Sequence, residues 1–348
     1  MAAASSSEIS QPTVVNITPK QNGNLLVRLR TKCSLKNELH RNVLIEFFCT
    51  GFLVFGGLAT NCQQVLTFSQ KNDYLAVTVG WALALLFAVY ASYKTSGGHL
   101  NPAVSLFQLT MGKINAITFI LYSIAQTAGA FFGAFFVYVL YYDAINHYDG
   151  GGRFVTGPRA TAGIFATYPA QNLSMLGGIF DQIAGTAVLC FLIACVTDKR
   201  NKIPSHLQPA VISLILLFIG LTMGINSGYG INPARDFGPR LFTWIVGYGW
   251  TVFSFRNYCW FWIPLLCPLI GGVIGGWAYQ LFIGIHLPDM TYEENLEYQT
   301  YLHQIPAVTT TNNSVYEVRS VHPGQVKPTL QYQQSNSQDQ AYYGQEHR

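Results

Sequence analysis

The chain is predicted to be an all-α integral membrane protein, with six transmembrane helices and two re-entrant half-helices in an inverted 3+3 repeat. Three observations lead there. Half of the 348 residues are hydrophobic and only 10% are charged, whereas about a quarter of a soluble domain is charged. Six apolar stretches are long enough to cross a bilayer. The tripeptide Asn-Pro-Ala occurs twice, at Asn101-Pro102-Ala103 and Asn232-Pro233-Ala234, each time behind a Ser-Gly pair.

The spans are read as Asn42–Leu58, Tyr74–Tyr93, Ile114–Tyr142, Gly177–Val196, Leu207–Met223 and Trp260–Ile285. Residues 1–40 are polar, lack the apolar core of a cleavable signal, and read as an N-terminal tail. Residues 41–288 form the channel-like domain. Residues 289–348 are rich in Gln, Asn and Tyr and read as a largely disordered tail. The basic residues are not gathered on one face, so the net charge of +4 carries no nucleic-acid signal. Seven scattered cysteines give neither a disulfide framework nor metal-ligand spacing, and no cofactor is implied.

Each Asn-Pro-Ala reads as the start of a helix. Proline lacks the N–H that would be orphaned in a first turn, and asparagine caps the turn before it. A helix N-terminus carries about half a positive charge. Two such ends meeting at mid-membrane repel cations while the asparagine amides donate to neutral oxygens.

The two motifs belong to two similar halves. The segment around Glu46 aligns with that around Gln182, each Ser-Gly plus Asn-Pro-Ala aligns with the other, and Gly129-x-x-x-Gly133 aligns with Gly271-x-x-x-Gly275. Three spans per half is an odd number, so the halves enter the bilayer in opposite directions and their motifs can meet. The glycine pairs read as close helix packing. Lys and Arg concentrate before span one, around the first motif and between spans four and five. Both termini are therefore expected to be cytoplasmic and the 143–176 loop external. Asn172-Leu173-Ser174 is then a candidate glycosylation acceptor, while Asn16 and Asn312 face the cytosol.

From about Leu35 to Pro288 the chain resembles the aquaporins and, within them, the aquaglyceroporins. The resemblance is carried by Ser96-Gly97-Gly98-His99-Leu100 before the first motif, by Ile164-Phe165-Ala166-Thr167-Tyr168-Pro169, and by Arg235-Asp236-Phe237-Gly238-Pro239-Arg240 after the second. It implies one pore per subunit, a homotetramer in the lipid bilayer, and passage of small neutral solutes with exclusion of ions and protons. It also assigns an outer selectivity filter to Trp81, Gly220, Tyr229 and Arg235. Water-selective members usually carry histidine in place of Gly220; without that ring, Trp81 and Tyr229 form an apolar corner and Arg235 offers a fork of donors. Tyr122, Asp236, Arg240, Pro268 and Leu269 match the glycerol-type pattern. Backbone carbonyls of Gly97, Gly98, His99 and Leu100, and of Gly228, Tyr229, Gly230 and Ile231, are expected to line the path. Glu46 and Gln182 are expected to hold the re-entrant loops.

The function expected is a passive channel for glycerol and water, with urea as a further solute, in the plasma membrane. A predominantly water-selective channel is the first alternative, opposed by Gly220. A coupled transporter is the second, and it needs titratable groups at mid-membrane, where the spans offer little beyond Glu46 and Asp181. No nucleophile, metal cluster or phosphate loop suggests an enzyme.

Overall fold

The computed structural model describes residues 25–291 and residue 300; the Asn16 and Asn312 acceptors lie outside them. Residues 25–289 form one compact unit, entirely helical in its long elements.

The first described helix, α1 (Leu25–Cys33), lies within the polar N-terminal tail, for which the sequence predicted no element. The spans follow as α2 (Glu38–Val65), α3 (Tyr74–Ser92), α5 (Ala116–Leu140), α8 (Met175–Thr197), α9 (Gln208–Met223) and α12 (Ile263–Phe282). Between them lie two short helices, α4 (Pro102–Thr110) and α10 (Pro233–Thr243). The loop segments add α6 (Tyr142–Asp149), α7 (Ala162–Phe165) and α11 (Thr251–Ser254). Five of the spans are long and apolar enough to cross a membrane, while α9, at 16 residues, is shorter; at 1.5 Å per residue it covers about 24 Å. The outward faces carry exposed Phe48, Phe87, Ile124, Phe180, Leu214 and Ile270, as a multi-pass membrane protein requires.

The repeat is visible in the packing. In the first half α2 packs on α5, and in the second α8 packs on α12. Glycines make both contacts possible: a Cβ on Gly129 would lie 2.1 Å from the Phe47 carbonyl oxygen, and one on Gly133 2.5 Å from that of Gly51. At the matching positions, a Cβ on Gly271 would lie 2.3 Å from the Ile183 oxygen and one on Gly275 1.9 Å from that of Ala187. Small residues let the helix backbones meet, which supplies the dispersion contacts that hold helices together in lipid.

The 142–167 connection is pinned from within. Arg153 pairs with Asp149 at 2.9 Å and donates to the Tyr138 hydroxyl at 3.0 Å. Asp149 also accepts from Thr161 at 3.1 Å. This network ties the segment together, and in α7 Ala162, Ile164 and Phe165 are buried inside the bundle while Gly163 stays exposed. On the opposite face, beyond α8, the Arg200 side chain hydrogen-bonds Asp198 and holds its carboxyl below the ordinary range. Asn172 is exposed just before Ser174, which caps α8.

Candidate functional site

Both Asn-Pro-Ala motifs begin helices as their chemistry dictates. The Asn101 side chain accepts from Ala103 N at 2.8 Å, and that of Asn232 accepts from Ala234 N at 3.1 Å and Arg235 N at 3.3 Å. The caps then cross over. Asn101 Nδ2 donates to the Ile231 carbonyl at 3.0 Å, and Asn232 Nδ2 donates to the Leu100 carbonyl at 2.9 Å. The N-termini of α4 and α10 thus meet head to head, each amide keeping a second N–H. The same contacts alter the expected carbonyl ladder, because Leu100 and Ile231 each already serve the opposite motif with one acceptor site.

The approach segments are wound to turn their carbonyls. Gly97, Gly98 and Gly228 have positive φ, and so do Leu100, Tyr229 and Ile231, at 51°, 43° and 32°. Non-glycine residues reach that region only at a cost of about 1–3 kcal/mol each, so side chains must hold them there. In the first half Glu46 does so. Its carboxyl accepts from Ser96 Oγ at 2.6 Å, His99 N at 3.0 Å, Leu100 N at 2.8 Å and Gln126 Nε2 at 2.8 Å. In the second half Gln182 Oε1 accepts from Ile231 N at 2.9 Å, and its nitrogen donates to Ser227 Oγ at 2.8 Å. Asp181 completes that anchor, accepting from Ser227 at 2.5 Å and Asn226 at 2.9 Å. His99 is buried, its Nδ1 3.0 Å from Ser105 Oγ and its ring edge-on to Tyr122.

A narrow cavity of about 80 Å³ lies between the anchors. Its walls include Trp81, Tyr229 and Arg235 at one end, both motif asparagines in the middle, and Tyr93, Gln108 and Thr197 at the other. One side is apolar, with Leu53, Val89, Leu189, Ile193, Ile212 and Leu216; the facing side carries Gly97–Asn101 and Tyr229–Asn232. Two flanking hollows share its end walls. Trp81, Tyr229 and Arg235 also border a vestibule on the 163–170 side, and Tyr93, His99, Gln108 and Thr197 border one on the 112–118 side. The three together trace one path through the bundle.

At the first end, the Arg235 guanidinium lies over the Trp81 ring, 4.4 Å from its centre, and donates to the Phe165 carbonyl at 2.9 Å. Gly220 is not on the wall. A Cβ there would sit 2.3 Å from Thr78 Cγ2 and 3.1 Å from the Tyr229 ring, so the space of the missing side chain is taken by Thr78 and the Tyr229 ring together. The Tyr74 hydroxyl donates to the Gly220 carbonyl at 2.6 Å, holding the end of α9.

Asp236 and Arg240 stand behind the filter, both buried. They pair at 2.8 Å; Asp236 accepts from Thr167 N at 2.7 Å, and Arg240 donates to the Thr167 carbonyl at 2.7 Å and to that of Val252 at 2.9 Å. Tyr122 lies beneath the first loop, its hydroxyl 3.4 Å from the Ser96 carbonyl. Pro268 and Leu269 are on α12 and do not line the path. The carbonyl of Phe165, Thr167 and Gln108, whose side-chain oxygen is buried without a protein partner, carried no role in the sequence reading. Phe165 and Thr167 were present only as letters of a motif, and Gln108 stands most of the length of α4 away from the motif that begins it.

The Major intrinsic protein family profile matches residues 34–279. The chain belongs to that family. It is 40% identical to human aquaporin-10 over 256 residues, which span 73% of this chain and 85% of that protein. It is likewise 40% identical to mouse aquaporin-9 over 264 residues, 76% of this chain and 88% of that one. Its fold is similar to the X-ray structure of the aquaglyceroporin from Plasmodium falciparum, with a TM-score of 0.64 and 31% identity, covering 70% of this chain and 97% of that one.

Proposed function

We propose that this member of the major intrinsic protein family is a passive channel for glycerol and water that excludes ions and protons. The observation that carries it is the end wall made by Trp81, Tyr229 and Arg235, with Thr78 and the Tyr229 ring taking the space left by Gly220. Glycerol has a hydroxyl edge and a carbon edge, and this wall has both. Arg235 offers five N–H donors, one of which reaches Phe165, and each charge-assisted bond to a hydroxyl is worth about 1.5–3 kcal/mol. The rings of Trp81 and Tyr229 face the carbons.

Beyond that wall the solute passes from acceptor to acceptor along the two carbonyl segments, meets the free N–H groups of Asn101 and Asn232, and leaves past Gln108. The apolar facing side offers no bond, so no station holds the solute tightly. Cations meet the Arg235 charge and two opposed helix N-termini. Urea, small and neutral with donors and acceptors of its own, is a further solute of the same path. The basic loops support an orientation with both termini and the 112–118 vestibule cytoplasmic, and the assembly is read, as the aquaporin resemblance implies, as a homotetramer in the plasma membrane. The exposed Asn172 is then external and open to glycosylation.

The test is stopped-flow light scattering of liposomes carrying the purified protein, under an inward glycerol gradient and, separately, an impermeant osmolyte. Fast shrinkage followed by accelerated reswelling is expected. Fast shrinkage with reswelling at the rate of empty liposomes would make the protein a water channel and overturn the reading.

A further inference from the structure

Two walls of the outer constriction come from distant parts of the chain, and one side chain joins them. Asn61 lies near the end of α2 and borders the vestibule shared by Trp81 and Arg235. Its amide nitrogen donates to the Ile164 carbonyl at 2.9 Å, and its amide oxygen accepts from Trp81 Nε1 at 3.0 Å. The next carbonyl along the chain, that of Phe165, accepts from Arg235 at 2.9 Å, and the Arg235 guanidinium stacks on the Trp81 ring. The contacts therefore close a ring: Asn61 to Trp81, Trp81 to Arg235, Arg235 to Phe165, and Ile164 back to Asn61. One turn earlier on the same helix face, Gly57 provides the seat, since a Cβ there would lie 2.2 Å from the Trp81 ring.

An amide is suited to this place because it donates and accepts in different directions at once. A flat indole over a glycine is otherwise free to tilt, and its tilt sets both the apolar wall and the plane on which the guanidinium rests. We infer that Asn61 is a positioning residue that determines solute specificity: it fixes the Trp81 ring and the Ile164–Phe165 carbonyls, and through them the donor fork that a polyol meets. The inference rests on the glycerol reading above. A residue that merely tied down the 163–166 loop would affect yield or stability and would slow water and glycerol alike.

The experiment measures glycerol and water permeability in the same liposomes for the wild type, Asn61→Leu, Trp81→Phe and the double variant. Trp81→Phe keeps an aromatic wall and removes the N–H that Asn61 holds. Asn61→Leu is expected to lower the glycerol-to-water ratio about fivefold. In the Trp81→Phe background the same change is expected to have a clearly smaller further effect, because one of the two bonds it breaks, that from the indole, is already gone and only the bond to the Ile164 carbonyl remains to lose. If Asn61→Leu does not reach the membrane, Asn61→Ser, too short to bridge both partners, is expected to give the same change of ratio. Equal losses of water and glycerol, an unchanged ratio, or losses that add fully in the double variant would each overturn the inference while leaving a glycerol-conducting wild type intact. A wild type that conducts no glycerol would overturn the functional reading and, with it, this one.

Discussion

In the first re-entrant segment, the carboxyl group of Glu46 gathers four donors, two of them the backbone N–H groups of His99 and Leu100. In the second, the aligned position is the neutral Gln182, which holds a single backbone group, Ile231 N, and shares Ser227 with Asp181, which alone holds Asn226. The backbones follow matching paths to matching caps, yet their charges are distributed differently. The first half keeps its acid at the root of the loop. The second also has an acid there, Asp181, and adds further buried charged residues after the cap, Arg235, Asp236 and Arg240. One half therefore supplies mainly a rigid carbonyl surface, and the other also carries the charged filter and the ion pair supporting it.

Three substitutions probe that division, from the largest effect down. Asp236→Ala leaves the Arg240 guanidinium buried without its partner and should destabilise the protein by about 3–5 kcal/mol, seen as a large drop in thermal stability in detergent; a change within error would show that Thr167 and Val252 suffice to hold Arg240. Glu46→Gln keeps one acceptor oxygen where two were used and turns an NH2 toward existing donors. At about 1–3 kcal/mol for each orphaned donor, it should cost roughly 2–4 kcal/mol in the same assay. Gln182→Leu orphans Ile231 N alone and should cost about 1–3 kcal/mol; if it proves worse than Glu46→Gln, the two anchors are not divided as described. Arg235→Val tests the filter rather than the support. It should leave water flux near that of the wild type and raise proton leak, measured with a pH-sensitive dye inside the vesicles. An unchanged leak would remove Arg235 from charge exclusion.

Much of this was legible in the sequence because the signals are local or periodic. Proline after asparagine starts a helix wherever it occurs, and Gly129/Gly133 and Gly271/Gly275 announce close packing by their spacing alone. The filter residues Trp81, Tyr229 and Arg235 came from the resemblance to the aquaglyceroporins, and the structure brings them to one end of the cavity. What could not be read depends on tertiary contacts. Nothing near Gly220 says that its missing side chain accommodates a ring nine residues later. Nothing near Asn61 reveals that its partners lie on α3 and on a loop past residue 160, and Phe165 contributes a backbone carbonyl that any residue would carry. Helix α1 was missed because its alternating leucines and arginines lie in a polar context with no long apolar run. The early end of α9 at Met223 was matched, but its shortness went unremarked because composition sets hydropathy, not depth.

Solutes are selected by size and donor placement at the wall that Trp81 of the first half makes with Tyr229 and Arg235 of the second. The most direct measurement is the glycerol-to-water permeability ratio of Gly220→His against the wild type in identical liposomes. A histidine there must displace the Tyr229 ring and Thr78, so glycerol flux should fall several-fold more than water flux, by about tenfold where the constriction loses the width of a carbon backbone. Equal losses of the two, in a variant that still assembles, would contradict the account.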